Sequence, residues 1–152
     1  MSLVKRFRQP LVLTSLVALI SVSAYGFDKP EDAIRAMEDA YVRRDANSAV
    51  AARDFAEEAR RMLVKIDPKL ALEPDILKQA AEVLELAYRK ELKDSTFRGF
   101  SGVHCTITTI IPVEDSLVKA LEDCTLKNGT ISKEQLFVAR TANGWRVITI
   151  PN

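Results

Sequence analysis

The sequence predicts an α+β domain, with helices first and an antiparallel four-stranded meander after them. Two observations carry this: apolar residues recur at helical spacing up to about Asp94, and β-branched runs broken by turn dipeptides follow. A third is the pair of cysteines, Cys105 and Cys124, placed on either side of "PVEDS" in the β-rich part. That placement suits the two strands of a hairpin.

The first stretch, "MSLVKRFRQPLVLTSLVALISVSAYGFDKP", has the three parts of a secretory signal. Lys5, Arg6 and Arg8 form a basic start, Leu11 to Val22 an apolar middle, and Val22 and Ala24 the small residues of a cleavage site. Cleavage is expected after Ala24, or alternatively after Gly26. The apolar run is short of the roughly 20 residues of a membrane span, so a stable anchor is not expected once it is cleaved. Residues 1–24 are therefore read as a signal peptide and 25–152 as one exported, periplasmic domain. Losing three basic residues takes the formal charge from +1 to −2. A nearly neutral body without a basic stripe argues against nucleic-acid binding. No cofactor motif is present.

Within the helical part, Asp28 and Glu31 are spaced as an N-cap and its reciprocal partner, with Pro30 in the first turn. Ala33, Ile34, Met37, Ala40 and Tyr41 fall on one face of that helix. "NSAVAARDFAEEARRMLVKIDP" reads as a second helix with Phe55, Ala59, Met62, Leu63 and Ile66 on one face, stopped by Pro68. "EPDILKQAAEVLELAYRKELKD" reads as a third, burying Leu77, Ala80, Ala81, Leu84, Tyr88 and Leu92.

Four strands follow: "VHCTITTII", "SLVKALEDCTL", "TISKEQLFVAR" and "GWRVITI". Asn128-Gly129 and Asn143-Gly144 are strong two-residue hairpin signals. Centring the first hairpin between Glu114 and Asp115 puts Cys105 directly opposite Cys124. In an exported chain with only these two cysteines, a disulfide is the expected outcome, and two buried thiols the alternative. With no CxxC and one histidine, His104, a metal centre has little support.

Carrying the register on places Cys105, Ile107, Val118, Ala120, Cys124, Phe137, Ala139 and Ile148 on the face toward the helices. Glu122 interrupts that face opposite Gln135, making these two the candidate polar residues of a cavity; pairing of Glu122 with Lys133 is the plainer alternative. Leu121, Leu136, Val138 and Trp145, with Arg140 at the rim, fall on the other face. That face is expected to bind a partner protein or a second copy of the chain.

Helices followed by such a meander, closing with "TANGWRVITIP", resemble the nuclear-transport-factor-2-like superfamily, over about residues 28–151. The segment "DANSAVAARDFAEEARRML" further resembles bacterial immunity proteins of that fold. The resemblance implies a curved, cystatin-like sheet and a non-enzymatic protein that neutralises a cognate toxin by direct binding. It also implies an alternative, a small-molecule-binding or isomerase-like domain with Glu122 as base, helped by Tyr41 or Tyr88.

Overall fold

The computed structural model describes residues 26–150; the expected signal peptide and its cleavage site after Ala24 lie outside the described residues. Helices α1 (Pro30–Arg43), α2 (Ala46–Ala51), α3 (Phe55–Ile66) and α4 (Pro74–Glu91) precede strands β1 (His104–Glu114), β2 (Leu117–Thr125), β3 (Ile131–Thr141) and β4 (Gly144–Ile148). The strands form one antiparallel sheet in sequence order. The predicted α+β class and meander are present. Among the described residues no helix is long and apolar enough to cross a membrane.

The α1 helix begins at Pro30 with Lys29 at the cap position and no side-chain cap, so Asp28 does not cap it. Its buried residues, Ala33, Ile34, Met37 and Ala40, are the predicted face. The expected second helix is two. Asp45 caps α2 by accepting from the backbone N–H groups of Asn47 and Ser48, and Asp54 caps α3 by accepting from that of Glu57. Between them the chain is pulled against β4: Val147 donates its N–H to the Ala52 carbonyl at 3.0 Å, and Asp54 donates to the Val147 carbonyl at 3.2 Å. Those bonds satisfy the edge of β4, which a continuous helix would leave open.

The α4 helix does not stop near Asp94. It runs through a π-turn at Leu92–Thr96 into a last turn, Phe97–Gly99. Leu92 and Phe97 are thereby buried with Tyr88, Ala40, Ala49 and Phe55, while Gly99 and Phe100 are carried toward the sheet.

Register decides the faces of the sheet, and here the structure departs from expectation. Cys105 does pair with Cys124, but the turn lies at Asp115-Ser116, one residue later than assumed. Two irregularities on β1, at Thr108 and Val113, absorb two residues, and the cysteine pairing survives because they offset the displaced turn. Between β2 and β3 the loop is Lys127-Asn128-Gly129, with Gly129 at φ 83°, not a two-residue turn on Asn128-Gly129. This moves the pairing by one residue and turns β3 over relative to β2. The last turn shifts the β3–β4 register by two, which leaves β4 on the same side as expected relative to β3.

The helix-facing core therefore joins Ala33, Ile34 and Met37 to Val118, Ala120, Val138 and Val147, with Ile107, Ile110, Leu136 and Trp145 packed against it. Leu117, Ala139 and Ile148 form a separate cluster with Phe137 and Ile150. Phe137, Ala139 and Ile148 were expected inside, and Leu136, Val138 and Trp145 outside. The shift in register exchanges them.

Candidate functional site

The apolar core fills one end of the space between α1 and the sheet. Toward the other end, a pocket of about 280 Å³ opens between Met37, Tyr41 and Phe100 on the helical side and Leu126, Leu136 and the cysteine pair on the sheet. The Cys105–Cys124 disulfide, with Cα atoms 4.0 Å apart, forms part of its wall. The Tyr41 and Phe100 rings meet edge-on, with centroids 5.2 Å apart.

Three carboxyl groups converge here: Glu38 from α1, Glu122 from β2 and Glu134 from β3. Glu122 is 3% exposed, and its Oε1 is buried with no protein hydrogen-bond partner. Burial pushes the Glu122 carboxyl up, and the neighbouring charge of Glu134 adds to that, while a hydrogen bond with Glu38 opposes it. Burial and the nearby Glu122 raise the Glu38 carboxyl to about 7. The two hydrogen-bonded carboxyls thus share a proton, which the pair gives up as pH rises through about 7. Glu134 is exposed, and one of its oxygens accepts from the Ser132 hydroxyl at 2.5 Å.

The expected partner of Glu122, Gln135, is not in the pocket. It is exposed and lies opposite Leu121, because the shifted register sets Glu134 across from Glu122. Lys133 pairs with Asp123 at 2.8 Å and leaves Glu122 alone. The two cysteine sulfurs and a Glu122 oxygen lie within 4.8 Å of one another. Each sulfur is bonded to the other, so the trio offers one carboxylate and no thiolate.

Of the expected partner-binding residues, Val138 is fully buried and Leu136 and Trp145 pack on the helix-facing core. The Trp145 backbone N–H donates to the Phe27 carbonyl at 2.8 Å. Arg140 is exposed and sits opposite Trp145, while the half-buried Leu121 points to the other face. The five do not form one surface.

Tyr41 reaches the pocket, but its hydroxyl is 2.7 Å from that of Tyr88, away from Glu122. Tyr88 belongs to a clamp centred on Arg53, whose (i, i+4) spacing to Glu57 suggests a solvated ion pair but which pairs with Glu58 instead. The Arg53 guanidinium lies 4.3 Å from the Tyr88 ring centroid and donates to Glu58 at 2.5 Å and to the Thr149 hydroxyl at 2.5 Å. Both ends of the ion pair are nearly buried, with side chains 12% and 6% exposed. A wider groove of about 870 Å³ runs beside this clamp, between Phe27, Phe55, Leu77 and Arg146. Its charged groups at Arg53 and Glu85 are engaged, with Glu58 and Arg89 respectively. The smaller pocket is thus the one with an uncommitted buried polar atom.

Comparison with solved structures then gives the architecture its place. A proposed NTF2-like transpeptidase from Campylobacter jejuni superposes with a TM-score of 0.52 at 15% identity, covering 80% of this chain and 99% of that one. The chain has the nuclear-transport-factor-2-like fold. An NTF2-like protein of unknown function from Shewanella oneidensis MR-1 gives 0.48 at 14% identity, over 79% and 96% of the two chains. A phospholipid-binding protein from Ralstonia solanacearum, solved with a phospholipid, gives 0.46 at 13% identity, over 78% and 72%. No protein-family model matches the chain, and no curated protein matches it. At these identities the likeness concerns fold, and a fold of this kind does not fix an activity.

Proposed function

We propose that this chain is an exported ligand-binding domain that takes a small molecule into the pocket between α1 and the sheet. The observation that carries this is Glu122: a nearly buried carboxyl group that lines the pocket and whose Oε1, itself buried, has no protein donor. Leaving such an atom without a partner costs on the order of 1–3 kcal/mol, so a fold that keeps one beside a pocket offers it to a ligand. The volume, about 280 Å³, suits a compact molecule at the small end of the ordinary range for ligand sites. Binding is the step proposed, with the Glu122 carboxyl as the group that meets the ligand; the Tyr41 hydroxyl is held by Tyr88.

A set of fragments of neutral, cationic and anionic character, screened by saturation-transfer NMR, tests this. Hits should bind the wild-type domain and vanish in Leu126→Trp, which fills the pocket from its half-buried rim. Hits that persist in that folded variant, or a screen without hits, would overturn the pocket reading.

A second reading is binding of a cognate toxin, as the resemblance of residues 45–63 to immunity proteins implies. The observation favouring it is no longer the sheet but the helical side, where Leu72, Val83 and Leu86 are 80%, 67% and 71% exposed. The mature, oxidised domain used as bait in extracts of the producing cells should then retain a stoichiometric toxin that Leu86→Asp releases. Recovery of the domain alone, or of its own dimer, would count against a toxin partner.

A further inference from the structure

We infer that the pocket's ligand is an organic cation, a primary amine or guanidinium carried on a compact apolar body. This rests on the pocket reading above and names the chemistry of its occupant. Three features select that class.

The first is charge. The pocket is lined by three carboxyl groups and by no lysine or arginine among the described residues. An anion would meet repulsion from Glu122 and Glu134, and from Glu38 once it loses its proton, in a partly enclosed space where charges are poorly screened. The second is the cross-strand pair. Glu122 and Glu134 stand directly opposite each other on β2 and β3, an arrangement that is unfavourable for two like charges. A cation seated between them removes the cost, and its N–H groups meet the carboxylate of Glu122, whose Oε1 has no protein donor. The third is the wall. Tyr41 and Phe100 present an edge-to-face aromatic pair, and Met37, Val103 and Leu136 extend it. Such a surface favours a cation attached to hydrocarbon and is larger than a bare metal ion needs.

The charged groups around the carboxyl pair set how pH acts. Glu38 feels Glu122, Asp39 and Arg35, and Glu122 feels Glu38 and Glu134. The cation displaces the proton shared by Glu38 and Glu122, so binding strengthens as pH rises through neutrality.

Three molecules of one shape test this: cyclohexylmethylammonium, cyclohexylmethanol and cyclohexanecarboxylate, titrated into the mature, oxidised chain by calorimetry or NMR. At about pH 8 the ammonium should bind at least about tenfold more tightly than the alcohol, and the carboxylate should not bind. At about pH 5.5 that preference should shrink several-fold. Glu122→Gln should weaken the ammonium far more than the alcohol and so remove most of the preference. Glu134→Gln, at an exposed position, should reduce it by a smaller factor and serves where Glu122→Gln fails to fold. Equal binding of ammonium and alcohol would overturn the inference and leave the pocket reading standing. Failure of all three to bind the folded chain would overturn both.

Discussion

Glu38 and Glu122 show how two carboxyl groups of ordinary kind become unlike through position. Glu122 is placed inward by strand alternation and cannot reach Lys133, which is spent on Asp123. Glu38 reaches it from the later turns of α1, and the two share a proton. The consequence for stability has a definite sign. The Glu38 carboxyl is held at about 7 in the fold against an ordinary 4.5, so the folded chain binds this proton more tightly than the unfolded one. The contribution is fully present below about pH 4.5 and is lost as pH rises to about 7. Thermal unfolding followed by circular dichroism should therefore show a falling melting temperature across that window. Glu38→Gln should flatten the fall. An unchanged slope in the variant would mean that Glu38 titrates as an ordinary surface carboxyl.

At the level of elements, β4 is short and lies at the edge of the sheet, and it is secured from outside the sheet. Phe27 bridges to Trp145 and Arg53 to Val147, so the chain before α1 and the break between α2 and α3 both cover its free edge. The close approach needs glycine: a Cβ on Gly26 would fall 1.2 Å from the Asn143 carbonyl oxygen, and Gly144 is at φ 86°. Trp145 is part of this construction and packs on the core with Phe27. Trp145→Ala should accordingly cost about 2–3 kcal/mol, somewhat less than truncating a fully buried Trp, as read from urea unfolding. A loss below about 0.5 kcal/mol would return Trp145 to the surface role that its sequence position first implied.

Across the whole molecule, the division between what was legible and what was not follows sequence separation. Periodicity fixed α1's buried face and the order of the strands, because both depend on residues a few positions apart. The cysteine pairing was also legible, though it was reached through a turn placed one residue early and two unseen irregularities on β1. Glu122 was singled out correctly as the polar interruption of the inner face, while its neighbours were not. Glu38 looked like one more charge on α1, and Glu134 and Gln135 were exchanged by a single extra loop residue at Lys127-Asn128-Gly129. That loop and the irregularities on β1 have no signal in hydrophobic alternation, yet each can reverse a face. The division of the second helix and the π-turn after α4 depend on contacts with β4 and with Ala40, Ala49 and Phe55, far away in the chain. By itself, then, the sequence determined the α+β class and the meander, since local spacing suffices for them, and the disulfide, since its only two cysteines flank one hairpin. Only the tertiary structure decided which side of β3 and β4 meets the helices, and so which carboxyl groups share the pocket. The physical reason is that a strand's two faces differ by one residue of register, and register is set by turns and packing along the whole sheet.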